Sequence, residues 1–140
     1  MKRLVLEAKK SLPIRQAAIS LTNRLNQKDQ AAEIKAIHSF VRDDIRFVKD
    51  IRNVETLIRP QELLKIGSGD CDDKSMLLAA LLESIGFETR FLAIGRKPNR
   101  YRHVLVEVKY HGKWIPLETT ENVQAGWYPP GKWYRLEVEI

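Results

Sequence analysis

GSGDCDDKSMLLAALLESIG, residues 67–86, is the stretch on which the fold turns. From Met76 to Ile85 it is apolar nearly all round, which predicts a buried central helix over Ser75–Ile85 closed by Gly86. A glycine-rich loop precedes that helix, and the junction between them carries Cys71, the single cysteine of the chain.

Upstream the pattern is helical. Ser11 and Pro13 open a helix by the cap-then-proline rule, with Ile14, Ala17, Ala18, Leu21 and Leu25 as its apolar stripe. Asp29 caps a second helix bearing Ile34, Ile37, Val41 and Ile45 at helical spacing. Arg59-Pro60 forces an extended entry to a short helix, Gln61 to Ile66, which Gly67 ends. Downstream the period changes to two. Strands are expected over Phe87–Gly95, Tyr101–Tyr110, Lys113–Thr119 and Trp133–Ile140, with His111-Gly112 as a tight turn. Helices first and hairpins second make an α+β class: N-terminal helices and a central Cys-bearing helix packed on an antiparallel sheet.

The 140 residues suit one domain, 1–140, large enough to bury a core without staples. The start, MKRLVLEAKK, is too weakly apolar for a signal peptide, and no run reaches the roughly 20 residues of a membrane span, so a cytoplasmic, membrane-free protein is expected. The net charge of +6 is uneven, because residues 1–60 hold 13 Lys/Arg against 7 Asp/Glu while residues 61–140 hold 11 of each. Those basic residues are scattered among acids without interleaved aromatics, which argues for a solvated helix surface over a nucleic-acid interface.

One cysteine excludes an internal disulfide and a CxxC zinc site. Its ordinary role is that of a small buried hydrophobe. Its position argues for more: a helix N-terminus offers unpaired N–H groups and a positive dipole end, which favour a thiolate and a developing oxyanion. Asp70, Asp72 and Asp73 oppose this by placing negative charge beside the thiol. A cationic imidazole is therefore required. His38 reads as a packing residue of the second helix and His111 as an exposed turn residue, whereas His103 opens a strand where a side chain can face a cleft. Glu118 stands at the end of the neighbouring strand, close to His103 across the hairpin, although a glutamate there is ordinarily just solvated.

The segments GDCDDKSMLLAALLESIGFETRFL, RHVLVEV and GKWIPLETT, in that order, resemble the three core motifs of the transglutaminase-like superfamily. Residues 37–60 resemble the helix that precedes them, so the likeness covers roughly residues 34–120. The resemblance implies a papain-like fold with Cys71 as nucleophile, His103 as general base and Glu118 as the acid that orients it. The third member is usually Asp, and Glu121 or Asn122 are alternatives for it. Phe47 stands near where a Tyr is expected and cannot donate to an oxyanion, which leaves the backbone N–H of Cys71 as the assigned donor.

Such a site forms a thioester on an acyl carbon. Water as acceptor makes a peptidase, isopeptidase or amidase acting on a protein or peptide substrate; an amine makes a transglutaminase. Hydrolysis is favoured, since the chain lacks the extra β-domains of calcium-dependent animal transglutaminases. A non-catalytic interaction domain with the same fold is the contrasting class. No acidic run matches an EF-hand loop, so neither metal nor cofactor is expected. The loop Arg96–Arg102 flanks His103, and Arg100 and Arg102 are read as favouring a carboxylate-bearing substrate, set beside a plain solvated hairpin tip. Trp127, Tyr128, Trp133 and Tyr134 are read as capping the core, set beside a cleft wall as the alternative.

Overall fold

The computed structural model describes residues 1–26, 29–49 and 57–140. The part of the 37–60 resemblance that falls on 50–56 lies outside the described residues. The elements run α1 (Lys2–Ala8), α2 (Leu12–Thr22), α3 (Gln30–Asp44), β1 (Arg46–Phe47), α4 (Pro60–Ile66), β2 (Ser68–Gly69), α5 (Cys71–Ser84), β3 (Thr89–Gly95), β4 (His103–Tyr110), β5 (Lys113–Leu117) and β6 (Tyr134–Glu139). The helices pack on an antiparallel four-stranded sheet of order β5-β4-β3-β6, the expected α+β architecture.

α5 is the hub. Every residue from Asp73 to Leu82 is buried, because the helix is wrapped by α1 to α4 on one side and by β3 and β4 on the other. It begins at Cys71, four residues before the expected start at Ser75. Asp70 caps it by accepting from the Asp73 N–H at 3.0 Å, and Asp73 returns the favour to the Asp70 N–H at 3.1 Å. This reciprocal capping box satisfies two donors that the helix cannot use internally, so Cys71 becomes its first residue.

The N-terminal expectations hold with adjusted ends. Asp29 caps α3 through the Ala32 N–H at 3.0 Å, and Ile34, Ile37, Val41 and Ile45 are all buried. Arg59 is extended and Pro60 is the first residue of α4, which Gly67 closes with φ +76°. α1 is an addition. Seven residues are too few for a helix to hold itself, and it is the burial of Val5 and Ala8 that supplies the stability. A second addition is the parallel pair β1–β2, in which Arg46 faces Ser68 and Phe47 faces Gly69. It ties the exit of α3 to the loop that delivers Cys71.

In the sheet, Val104, Val106 and Val108 face the core, while Leu92, Ile94 and Leu105 form a small cluster on the other face, covered by Trp133. His111 (φ +50°) and Gly112 (φ +76°) make the two-residue turn between β4 and β5. None of the described helices is long and apolar enough to cross a membrane.

Candidate active site

Three elements converge at one end of the sheet. Cys71 is partly exposed at the N-terminus of α5, His103 is the first residue of β4, and Glu118 follows the last residue of β5. The β4–β5 ladder ends at Val106 opposite Leu117, so His103 and Glu118 are not cross-strand partners. The glutamate side chain spans the remaining gap: its Oε2 lies 2.7 Å from His103 Nε2. Cys71 stands close enough to His103 to raise the imidazole pKa, and since Nε2 is given to Glu118, Nδ1 is the ring nitrogen left to serve the thiol.

Glu118 is 2% exposed, and its second oxygen is fully used. Oε1 accepts from the backbone N–H of Thr119 and of Thr120, both at 3.1 Å, and from the Thr120 hydroxyl at 2.9 Å. Its main chain is held too, by His38 Nε2 at 2.6 Å from the carbonyl oxygen. Neither Glu121 nor Asn122 takes this place; both are exposed on the loop beyond it.

The charges follow from these contacts. Burial lowers the pKa of His103, but the hydrogen bonds to Cys71 and Glu118 and the carboxylate charge outweigh it and raise it to about 10. Burial works to raise Glu118, and the imidazole together with the donors of Thr120 holds it below the usual carboxylate range. His38 is depressed by burial and by Arg42 against the pull of its bond to Glu118, so it stays neutral. Asp73 is lifted to about 6, chiefly by burial, despite accepting from the Ile58 and Asp70 N–H groups. Asp70 and Asp73 are thus engaged with the backbone at the helix start, while Asp72 lines the cavity beside Cys71.

His103 borders cavities on both faces of the sheet because its ring stands at the sheet's end. The larger, about 550 Å³, contains Cys71, Asp72, Tyr101 and Arg102 together with Phe91, Ala93, Val104 and Val138 and the N-terminal Met1 and Lys2. The other, about 490 Å³, is walled by Trp127, Pro129, Pro130 and Trp133, with Arg96 and Glu121. Arg102 therefore reaches the cleft, whereas Arg100 sits at the exposed tip of the β3–β4 connection, outside both. Phe47 lines a third, polar cavity of about 230 Å³ with Lys74, Thr119 and Thr120, away from the thiol.

His111 is exposed at the hairpin tip, as expected. His38 is buried, also as expected, but it is a hydrogen-bonding residue rather than mere packing. The signal was its place on the α3 face that carries Ile34, Ile37 and Val41. Thr119 and Thr120 stand in the sequence only as the end of the GKWIPLETT motif, and the structure makes them the donors that hold Glu118 Oε1. Lys74, 1% exposed with its Nζ 3.3 Å from the Arg42 carbonyl oxygen, gave no signal beyond its presence.

A family model described as the transglutaminase-like superfamily matches residues 19–119. Among solved structures, a candidate protease from Parabacteroides distasonis ATCC 8503 is similar at TM-score 0.66 and 16% identity, over 84% of this chain and 25% of that one. A candidate cysteine protease from Cytophaga hutchinsonii gives 0.64 and 13%, over 97% and 56%. Legionella pneumophila LapG gives 0.62 and 16%, over 88% and 74%. The chain thus spans about a quarter of the first neighbour's length and just over half of the second's. No curated protein matches it.

Proposed function

This chain belongs to the transglutaminase-like superfamily, and from that premise we propose that it is a cysteine hydrolase with Cys71, His103 and Glu118 as its catalytic triad. Its substrate is a peptide, isopeptide or amide bond. The observation that carries this reading is the 2.7 Å contact between His103 Nε2 and a fully buried, fully bonded carboxylate, with the opposite ring nitrogen left for Cys71.

In this reading the protonated imidazole and the thiolate form an ion pair, and the sulfur attacks the acyl carbon. The tetrahedral oxyanion lies near the Cys71 N–H, which as the first of α5 has no acceptor within the helix. His103 passes its proton to the leaving amine and then takes one from water, which cleaves the thioester. Both cavities beside His103 are open, so water reaches the acyl-enzyme.

Alkylation of Cys71 by iodoacetamide across pH is the test, with release of amine from a peptide panel as the second readout. An activated thiolate reacts well below the pKa of about 8.5 of an ordinary thiol, and the acid limb moves up in His103→Ala and Glu118→Gln. A wild-type profile centred near that of free cysteine, unmoved by either substitution, would refute the proposal.

A further inference from the structure

The sheet face that carries the Cys71 cleft does not end at the cleft. On that face β6 presents Val138, Leu136 and Tyr134, paired with Phe91, Ala93 and Gly95 of β3. Their exposure climbs along the strand, from 39% at Val138 to 45% at Leu136 and 52% at Tyr134. The helical layer therefore covers the start of the shelf and leaves its far end bare. Val138, Phe91 and Ala93 are at the same time walls of the cavity holding Cys71, so shelf and cleft are one continuous apolar surface. The three residues of β6 span about 13 Å, room for roughly four residues of extended chain.

The outer edge of β6 adds a second feature. The Ile140 N–H bonds to Thr89 O of β3, so by alternation Tyr134, Leu136 and Val138 bond inward. Arg135, Glu137 and Glu139 then turn their N–H and C=O groups outward. Among the described residues no strand pairs with that edge. An apolar side-chain shelf beside a row of main-chain donors and acceptors matches an extended polypeptide, which supplies both kinds of partner. A lipid surface offers no such ladder.

We infer that the Phe91–Ala93–Val138–Leu136 shelf is the acyl-side docking surface of the enzyme and selects an extended polypeptide with large apolar side chains beside the scissile bond. The inference rests on the proposed thiol hydrolysis and names its substrate class. It places peptides with a polar side chain on the shelf among the poor substrates, because Phe91, Ala93, Leu136 and Val138 offer such a group no polar partner.

The experiment uses peptidyl chloromethyl ketones, read as the mass and rate of the Cys71 adduct, beside the alkylation rate with iodoacetamide. One probe series carries Leu or Phe next to the reactive carbon and another carries Gln or Asp. Wild type is expected to favour the apolar probes by about ten-fold or more, as a buried apolar side chain commonly discriminates. Leu136→Asp and Val138→Lys lie on the exposed strand; they should erase that preference, with each probe rate divided by the same variant's iodoacetamide rate to remove any change in thiol reactivity. A wild-type preference for Gln or Asp, or a preference untouched by both variants, overturns the inference even with a reactive thiol. A wild-type dimer that Leu136→Asp dissociates without changing probe selectivity overturns it too, assigning the shelf to a second copy. An unreactive thiol instead sinks the hydrolase reading on which it stands.

Discussion

His38 Nε2 and the carbonyl oxygen of Glu118 meet at 2.6 Å, 80 residues apart in sequence and buried from solvent. The contact ties α3 to the residue after β5, and so fixes the backbone from which the carboxylate reaches His103. His38→Leu leaves a buried acceptor without a donor and should cost about 1–3 kcal/mol of stability. His38→Gln keeps an N–H donor and should recover much of that loss, along with the alkylation rate of Cys71. Urea unfolding and alkylation of the two variants decide it; equal behaviour of Leu and Gln would remove the hydrogen bond from the account.

The same histidine gives stability a pH dependence. Its folded pKa is depressed below 6.5, so the unfolded chain binds the extra proton and stability is lost as pH falls below about 6.5. His38→Gln should flatten the part of the urea-midpoint curve just below about pH 6.5. Asp73, lifted to about 6, acts in the opposite sense, since the folded state takes up its proton first. An unchanged slope in the variant would assign the acid limb to other groups.

Glu118→Asp restores the residue usual in the superfamily and is nonetheless expected to impair this site. One oxygen is held by Thr119 and Thr120 and the other by His103, a span that uses the full length of the glutamate. With a methylene removed, one set of contacts must open. Turnover should fall about ten- to a hundred-fold, the scale set by misplacing a catalytic group by an ångström. Activity equal to wild type would mean the strand end shifts to compensate.

Asp70→Ala removes half of the capping box and should lower stability by about 1 kcal/mol, whereas Asp70→Asn keeps an acceptor and should cost much less. Thermal melts compare the two. A loss of the same size in both would point to the charge of Asp70, not its hydrogen bond, as the stabilising feature.

Glu107 is fully buried on the outer face of the sheet, 2.8 Å from Arg90, hydrogen-bonded by the Tyr128 hydroxyl and 3.6 Å from Arg135. Arg90→Met removes the nearest cation of that carboxylate, leaving Tyr128 and Arg135, and should destabilise by about 1–3 kcal/mol, while the double change Arg90→Met with Glu107→Leu should recover part of it. Denaturant titration of the cycle measures the coupling. Additive losses would show the pair to be independent.

Local chemistry announces itself in this sequence, and long-range delivery does not. The apolar run 76–85, the Asp29 cap and the Arg59-Pro60 entry are written within a few residues, and each forms where its pattern lies. α1 is different: its seven residues carry no helical signal strong enough to stand alone, and only the groove on α5 makes them a helix. The two-residue strands β1 and β2 are likewise products of tertiary placement. At the site, Cys71 was readable from its glycine loop and helix start, and His103 from opening a strand. The hold on Glu118 was only half so: its Thr119 and Thr120 donors stand next to it in the sequence, but His38 comes from another layer. Of the four aromatics, Trp133 covers the outer cluster and, with Trp127, also walls a cavity beside His103, so both readings of them apply; Tyr128 serves Glu107, and Tyr134, 52% exposed, caps nothing.

The three donors on Glu118 Oε1 come from the next two residues alone. Orientation of the carboxylate is therefore encoded in a cassette of three consecutive positions, 118–120, which the sheet only has to deliver. Beyond Thr120 the chain turns outward through exposed Glu121 and Asn122 before Val123 re-engages Arg42. That short excursion is where extra length can enter the protein: a loop or a reporter domain grafted between 121 and 122 leaves the cassette, and with it the imidazole's partner, intact.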